Sequence, residues 1–369
     1  MKTHKHVWDF LLRDDTIEFA IINAADGKNK NNKRHKTLRY IRDHKEEYTP
    51  IVREWIINYD PKEHKRVTKT INDGLSAKMR NITIPTVIEE IILNAVCLVF
   101  KKTLMPSMYE HSYSSIPGKG THLAAHYISK WLKRDCINTQ YAFQSDIYHF
   151  FESVNRGILF RKLKRKYKES LFIDLCRKIV YATPGAVGLP LGFPTSQWFA
   201  NFYMTDFDHY VKEQLKAPYY VRFSDDMLVM CSNKEDLWRY KDAFDEYLNS
   251  NLVLRLKPNW KIFPLDHSNP NLLGNKLDFL GYKHARDYKT LRKKILKRYK
   301  RKIFHVKKKG KINIKDARQL VTYAGYLKHA SCYGWYLKYV KPNVSMRYMR
   351  KKISNYSKKG REESCGTKP

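Results

Sequence analysis

Two adjacent aspartates, Asp225 and Asp226, interrupt the otherwise apolar stretch YVRFSDDMLVM at residues 220–230. The apolar residues on both sides of the doublet are typical of strands. A two-residue turn at Ser224-Asp225 or Asp225-Asp226 would pair them as a hairpin with both carboxylates at its tip. Burying two like charges is costly unless cations compensate for them, and a pair of divalent metal ions does so. The stretch predicts a metal-holding hairpin, with a solvated turn as the alternative.

A third acid is expected, because a two-metal site needs carboxylates from more than one segment and Mg²⁺ prefers oxygen ligands. Asp146, in QSDIYHFFESV, is the best candidate because it lies where an apolar strand ends. Three such acids could hold the triphosphate of a nucleotide and activate a primer 3′-hydroxyl for in-line phosphoryl transfer. Since neighbouring strand residues point to opposite faces, we predict that Asp225 is the stronger metal ligand and Asp226 the adjunct.

The elements that must position these acids alternate irregularly between strand and helix across residues 141–284. This pattern favours an α+β domain over regular βαβ winding. The other elements predicted by apolar spacing are a helix from Arg80 to Lys102, helices over residues 196–216 and 234–250, and a short strand near residues 253–256.

The composition predicts a packed globular protein that binds a polyanion. Of 369 residues, 43% are hydrophobic, and 71 Lys or Arg against 36 Asp or Glu give a formal net charge of +35. Nucleic acid is therefore the first expected partner and an acidic membrane surface the second. The membrane is the weaker of the two and is not among the predicted partners, because the longest apolar run, residues 91–100, is too short to span a bilayer.

The charge is concentrated near the C-terminus, where residues 283–369 carry 28 Lys or Arg and only 4 Asp or Glu. This segment is predicted to be a separate, largely helical element that lies along a phosphate backbone, with a merely soluble helix as the alternative. Six scattered cysteines without a Cys-x-x-Cys pair predict reduced thiols in a cytoplasmic compartment. The N-terminal residues lack the apolar core of a signal peptide.

Five motifs resemble, in order, the palm motifs of reverse transcriptases: DIYHFF, GLPLGFPTSQWFANFYM, FSDD, LKPNWKIFP and LDFLGY. The resemblance implies a right-hand polymerase fold, with an N-terminal extension and fingers over residues 1–140. A palm with an antiparallel sheet would follow over 141–284, and a basic helical thumb and tail over 285–369. It also implies RNA-directed DNA polymerase activity with two Mg²⁺ ions, or Mn²⁺ in their place. The implied partners are deoxynucleoside triphosphates, template RNA and an RNA–cDNA hybrid.

The resemblance also implies roles for individual residues. The implied metal ligands are Asp146, Ile147, Asp225 and Asp226, of which the aspartates are also catalytic. Lys261 would lie near the leaving pyrophosphate as a proton donor. The residues implied to contact the nucleotide or template are Lys78 and Arg80 at the phosphates, Phe151 as a steric gate against a ribose 2′-hydroxyl, Leu191, Gly192 and Gln197 in the pocket, and Phe223 in place of the usual Tyr. For Phe151 the alternative is plain core packing.

The finer pattern is most similar to reverse transcriptases of diversity-generating retroelements. Leu191-Gly192-x-x-x-Ser196-Gln197, GKGTHLAA at residues 118–125 and YAGYLKHASCYGWYLKY at residues 323–339 carry this similarity, whereas Phe193-Pro194 resembles retron loops. The subfamily implies a bacterial or phage-encoded enzyme that copies a template-repeat RNA with frequent errors at adenines. It also implies a small basic helical-bundle accessory protein that forms a ring.

Two alternatives remain open. A retron-type or phage-defence reverse transcriptase would share the site but use a structured RNA primer or protein priming. A non-catalytic RNA-binding protein on a polymerase fold is the second, and the complete acid triad disfavours it.

Overall fold

The computed structural model describes residues 3–26, 33–72, 79–265 and 274–365, in which helices and strands are mixed along the chain. The helices are α1 Val7–Leu11, α2 Asp14–Ala25, α3 Lys33–Asp43, α4 Lys45–Ile57, α5 Val87–Thr103, α6 Thr121–Arg134, α7 Phe150–Ser153, α8 Arg156–Lys166, α9 Ser170–Val180, α10 Pro194–His209, α11 Lys234–Leu252, α12 Lys293–Lys309, α13 Ile314–Lys328, α14 Tyr333–Tyr339 and α15 Met346–Cys365. The strands are β1 Val67–Asn72, β2 Met79–Ile84, β3 Tyr141–Asp146, β4 Tyr219–Phe223, β5 Asp226–Cys231, β6 Lys261–Pro264, β7 Leu277–Phe279, β8 Tyr282–His284 and β9 Lys289–Leu291. The predicted α+β class is confirmed.

The aspartate hairpin belongs to a four-stranded antiparallel sheet with the order β4-β5-β3-β6. One apolar cluster joins this sheet to α10 and α11 through the buried rings of Phe143, Phe207 and Phe244. A second cluster joins it to α6 and includes Ala142 and Ile128. Because successive strand residues point to opposite faces, Ala142 and Phe143 serve different layers. The sheet is therefore covered on both faces, and this packing holds the strand ends in place.

A buried ion pair ties the hairpin to α10. The guanidinium of Arg222, on β4, donates to the two carboxylate oxygens of Asp208 at 2.7 and 2.6 Å, and neither residue is exposed. The Tyr220 hydroxyl donates to the same carboxylate at 2.8 Å. Arg222 also donates to the carbonyl of Ser224 at 3.1 Å, so the same guanidinium holds the turn. Such a pair enforces one geometry, because removing either partner would leave an unpaired buried charge.

The predicted helix from Arg80 to Lys102 is wrong in its first part. That part forms β2, which pairs with β1 as an antiparallel hairpin, and α5 begins only at Val87. The Thr86 hydroxyl accepts a hydrogen bond from the Glu89 N–H at 3.3 Å, and the Glu89 carboxylate accepts one from the Thr86 N–H at 2.9 Å. The β-branched residues before the proline favour a strand, and this capping box sets the start of the helix.

The short strand predicted near residues 253–256 is also wrong, since the described chain forms none there. Val253 ends α11 in the left-handed region at φ 53°, and Leu256 makes only an isolated bridge with Ile147. The Lys257 N–H then donates to the Asp146 carbonyl at 2.7 Å. The left-handed conformation of Val253 turns the chain, so that residues 256–257 contact β3 at the end that carries Asp146. The predictions over residues 196–216 and 234–250 are confirmed by α10, its π-helical continuation Tyr210–Gln214, and α11.

The basic C-terminal segment is helical and has its own core. In α12 the buried residues follow a helical spacing, which leaves most of its cations on the outer face; they are Ile295, Tyr299, Ile303 and Val306. They join an apolar cluster with α13 and with Tyr282 and Leu291 of the antiparallel sheet β7-β8-β9. That sheet has strands on both sides of residue 284, where the palm is predicted to end. The predicted limits of palm and thumb stay a prediction. Among the described residues, no helix is both long and apolar enough to cross a bilayer.

Candidate active site

The turn of the hairpin brings the three predicted acids to one end of the sheet. β4 ends at Phe223 and β5 begins at Asp226, so Ser224 and Asp225 form the turn, with Ser224 at φ 61°. Asp226 lies directly opposite Asp146 in the register of β3 and β5. The first of the two predicted turn positions is therefore the observed one. Phe223 is opposite Asp226 on the other neighbouring strand, beside the doublet as predicted.

The carboxylates of this cluster repel one another in a partly desolvated place. Burial, followed by the charges of Asp225 and Asp146, raises the pKa of Asp226 to about 7. Burial, followed by the charge of Asp146, raises the pKa of Asp225 to about 6. Both directions follow from the same physics, since a low dielectric and like charges favour the protonated carboxyl. A cation bound between these groups would restore their ionised forms.

One cation is already present beside the acids, and sequence reasoning missed it. The ammonium group of Lys257 forms an ion pair with a carboxylate oxygen of Asp146, and both side chains are about a quarter exposed. The predicted lysine, Lys261, instead begins β6, opposite Gln144, and its side chain is exposed. LKPNWK contains both lysines, and only the backbone bond from Lys257 to Asp146 shows which of them reaches the acids. The role predicted for Lys261 stays a prediction.

The donor set suits a divalent cation that shares its ligands with a substrate. The Oδ1 atom of Asp146 is buried and has no hydrogen-bond partner among the described residues. Within the same residues, no three acidic, histidine or cysteine side chains are already arranged around one ion position. Mg²⁺ in phosphoryl-transfer sites is held by one or two carboxylates together with substrate phosphates and water, so a complete protein cage is not required. The side chain of Ile147 is a hydrocarbon without a ligand atom, so only its backbone carbonyl could bind a metal ion.

A close backbone contact joins the hairpin β1-β2 to the loop before α10. The Thr83 N–H donates to the Leu191 carbonyl at 2.7 Å. Gly192 has φ +108°, and a Cβ atom there would lie 2.3 Å from the Thr83 carbonyl oxygen. Only glycine fits this contact, both for its dihedral angle and for its lack of a side chain. Arg80, exposed and three residues before Thr83 on β2, is thereby connected to the predicted pocket.

A second set of backbone contacts places Phe151 near the same loop. The Leu189 N–H donates to the Phe151 carbonyl, and the Gly188 N–H donates to the Val154 carbonyl, each at 2.8 Å. The buried guanidinium of Arg156 donates to the Gly188 carbonyl at 2.8 Å and to further oxygens of residues 183–185. The ring of Phe151 is half-buried against the main core. Its position is compatible with both predicted roles, steric gate and core packing.

The remaining predicted contacts divide between described and undescribed residues. Gln197 lies on the first turn of α10, and its Oε1 accepts a hydrogen bond from the Ser115 hydroxyl at 3.1 Å. It lines a cavity of about 350 Å³ together with Gly192 and with Asn94 of α5. Lys78 lies outside the described residues.

Comparisons with known proteins place these observations in a family. A family model described as Reverse transcriptase (RNA-dependent DNA polymerase) matches residues 62–282, more than half of the chain. The chain is 24% identical over 167 residues to Protein YkfC of Escherichia coli strain K12. The aligned region covers 42% of this chain and 43% of that protein.

Two solved structures are also similar. The apo telomerase from Candida tropicalis, truncated from the C-terminal domain, has a TM-score of 0.46 and 14% identity over 66% of this chain and 60% of that chain. The telomerase from Candida albicans in complex with a TWJ fragment of telomeric RNA has a TM-score of 0.45 and 13% identity over 85% and 64% of the two chains. This chain spans less than two thirds of the length of each of these three proteins.

We expect the contribution of Asp225 and Asp226 to the stability of the metal-free protein to increase as the pH falls from 8 to 5. Burial lowers the pKa of His284 to about 3, which acts in the opposite direction, so the contribution of the carboxyls is obtained by comparison with a variant that lacks one of them. Folded Asp225 and Asp226 take up protons at about pH 6 and 7. Carboxyls of the unfolded chain do so only near pH 4, so the folded state gains protons first. The gain is up to about 3 kcal/mol for Asp226 alone. The measurement is the free energy of unfolding by urea in EDTA at each pH.

The change Asp226→Asn should flatten this pH dependence and stabilise the metal-free protein at pH 8, because it removes one of the repelling charges. The matched control is Asp242→Asn, an exposed acid on α11 that should leave the slope unchanged. Equal slopes in Asp226→Asn and the unaltered protein between pH 5 and 8 would contradict the proposed repulsion.

Proposed function

The chain belongs to the reverse transcriptase (RNA-dependent DNA polymerase) family, and we propose that it copies a template RNA into cDNA by two-metal phosphoryl transfer. The family has the right-hand polymerase fold, to which the mixed helices and the covered antiparallel sheet correspond. The observation that carries the proposal is the convergence of Asp146, Asp225 and Asp226 at the ends of neighbouring strands. Such acids are the ligands from which a two-metal site is built.

The metal ligands in this proposal are Asp146, Asp225 and Asp226, with the carbonyl of Ile147. When bound, two Mg²⁺ ions, or Mn²⁺ in their place, would supply electrostatic stabilisation of the attacking and leaving oxygens. The buried Asp146 oxygen without a partner and the raised pKa values of the doublet support this assignment. Asp225 lies in the turn and Asp226 in the strand, which supports the unequal roles that we assign, stronger ligand and adjunct.

The chain's own residues would bind and orient the nucleotide. Arg80 would contact the triphosphate from β2, and Lys78 would assist it. Gly192 permits the backbone to approach the nucleotide, and Leu191 and Gln197 would shape the pocket around the base. Phe223 would keep an aromatic surface beside the doublet without the usual hydroxyl. Lys261 is proposed as the proton donor to the leaving pyrophosphate.

We also propose that template RNA and the RNA–cDNA hybrid bind along the basic C-terminal helices. The apolar residues of α12 face inward, so most of the Lys and Arg side chains on this helix face solvent. Cations on one face of a helix suit a phosphate backbone, and each contact releases counterions, which makes binding steeply dependent on salt.

The finer proposal is that the enzyme serves a diversity-generating retroelement and makes errors at template adenines. The motifs at residues 118–125 and 323–339 support it. The retron-like pair has structural roles of its own, because Phe193 is buried and Pro194 is the first residue of α10. A small basic helical-bundle accessory protein that forms a ring is the corresponding proposed partner. RNA that co-purifies with the protein would distinguish this role from a retron-type or phage-defence role by its sequence.

We expect Asp225→Asn to lower Mg²⁺-dependent incorporation of deoxynucleotides by at least about 100-fold, because an amide is a poor ligand for a hard cation at the reacting centre. Asp226→Asn should cost less. Primer extension on an RNA template measures both, with Asp242→Asn as the control. Extension by Asp225→Asn at the unaltered rate would contradict the role of Asp225 as a catalytic metal ligand, and absence of extension by the unaltered protein would favour a non-catalytic RNA-binding protein.

We expect Phe151→Ala to admit ribonucleotides if the ring blocks a 2′-hydroxyl. The preference for deoxynucleotides over ribonucleotides should fall about 10-fold or more in primer extension with each set of nucleotides. Phe150→Leu is the matched control, because the neighbouring ring is buried in the core and should leave the preference unchanged. An unchanged preference in Phe151→Ala would leave core packing as the role of this residue.

We expect variants of Leu191 and Arg80 to change the error rate at template adenines, because Thr83 links their two segments across the pocket. Sequencing of the cDNA made by Leu191→Ala and Arg80→Ala measures this rate. Lys69→Ala, on the partner strand β1 of the same hairpin, is the matched control. Adenine error rates that stay the same in both variants would remove the pocket from the explanation.

A further inference from the structure

A large cavity lies at the C-terminal end of α10, away from the three aspartates. Its volume is about 980 Å³, and none of the predicted active-site residues lines it. Gln197, in the predicted nucleotide pocket, and His209, in this cavity, are twelve residues apart on α10. That spacing corresponds to about 18 Å along a helix axis. The cavity is therefore a separate site at the opposite end of the same helix.

The wall formed by α5 and α8 is strongly basic. Its cations are Lys102, Arg161, Lys162, Arg165 and Lys166. Lys162 and Lys166 are buried, at 5% and 1% exposure. Lysines so deep in a protein are rare unless a partner compensates their charge.

Each of the two acids of the cavity already has a basic side chain as its partner. Asp206 pairs with Lys162 at 3.1 Å and with Arg165 at 3.7 Å. Glu213 lies 2.7 Å from the His209 ring. In contrast, no described residue forms a hydrogen bond or ion pair with the exposed guanidinium of Arg161. The wall thus keeps a positive surplus toward the cavity, which suits an anionic ligand.

The opposite wall is aromatic and has an unusual backbone. Tyr210 and Tyr247 both line the cavity, and their rings stack with centroids 4.5 Å apart. Tyr210, Glu213 and Gln214 belong to the π-helical turn that follows α10. Such turns are rare and occur frequently at functional sites. Aromatic faces of this kind offer a stacking surface to a nucleobase.

We propose that this cavity is a second nucleotide site, in which the basic wall binds phosphate and the tyrosines contact the base. Its volume lies at the upper end of the range for small-molecule sites, so it accommodates a nucleotide. Arginine and lysine together match a phosphate group by charge and by hydrogen-bond donors. The phosphate belongs either to a free nucleotide or to an RNA that enters from the surface. The proposal does not depend on the polymerase activity.

The test uses the full chain in EDTA, so that metal-dependent binding of a triphosphate at the aspartates is suppressed. Isothermal titration calorimetry measures ATP, a 5′-phosphorylated RNA trinucleotide and inorganic tripolyphosphate as probes. The cavity variant is Arg161→Glu with Arg165→Glu, two exposed side chains of α8. The matched control is Lys164→Glu with Lys168→Glu, two exposed cations of the same region that do not line the cavity.

We expect one site per chain, with affinity at least about 10-fold weaker in the cavity variant and within about twofold in the control. Weakened binding of ATP alone in the cavity variant identifies a free nucleotide as ligand of the cavity, and weakened binding of the trinucleotide alone identifies RNA. Absence of binding by both probes, or equal losses in the cavity variant and the control, would overturn the proposal.

Two further measurements make the result specific. Tyr247→Leu should weaken ATP about fivefold while tripolyphosphate changes by less than about twofold, because stacking concerns only the base. Equal effects on both probes would remove the base contact from the proposal. Asp225→Asn should retain cavity binding, and the cavity variant should retain primer extension on a short template. A failure of the polymerase assignment would therefore leave this result intact.

Discussion

Three carboxylates held at one end of a small antiparallel sheet are the constraint on which the rest of the structure depends. Burial, followed by their mutual repulsion, raises the pKa of Asp225 and Asp226, so the fold must stabilise a cluster that is unfavourable by itself. Two interactions do this. The buried Arg222–Asp208 pair fixes β4 and its turn to α10, and Lys257 neutralises Asp146 from the other side. The cluster is thus held by surrounding charges, and a bound cation would reduce the remaining repulsion.

The same arrangement explains why the loops around the site are pinned by backbone contacts. Thr83 binds the Leu191 carbonyl where only a glycine at residue 192 fits, and Arg156 holds residues 183–188. The first contact joins segments that are more than a hundred residues apart in the chain, and the Arg156 contacts join residues 27 to 32 positions apart. The proposed nucleotide pocket would therefore be preorganised, because its walls include backbone atoms with satisfied hydrogen bonds. Helix α10 connects this pocket to the basic cavity at its far end.

The distribution of charge is a feature shared by the C-terminal helices and the cavity at the end of α10, and it distinguishes both from the aspartate cluster. The surplus of +35 is not spread evenly, because it gathers along α12 and in the wall formed by α5 and α8. Both places present cations over an apolar or aromatic layer, the combination that suits nucleic acid and its components. The acids of the proposed active site are the exception to this basic surface, and a bound divalent cation would offset their repulsion of a polyanion.

The sequence by itself predicted the three acids, a turn at one of two positions, and the family. Asp225-Asp226 between apolar strands is a local pattern, and so is the alternation that places Asp146 at a strand end, because pleat and turn chemistry act over a few residues. The start of α5 is also set by a local pattern, the capping box of Thr86 and Glu89, which an analysis of apolar spacing alone does not detect. Only the tertiary structure decided which lysine contacts Asp146 and that Arg222 pairs with Asp208. It also decided that the end of α10 borders a basic cavity. These contacts join residues from distant elements, and their free energy depends on burial and on the direction of side chains, which a linear pattern does not contain.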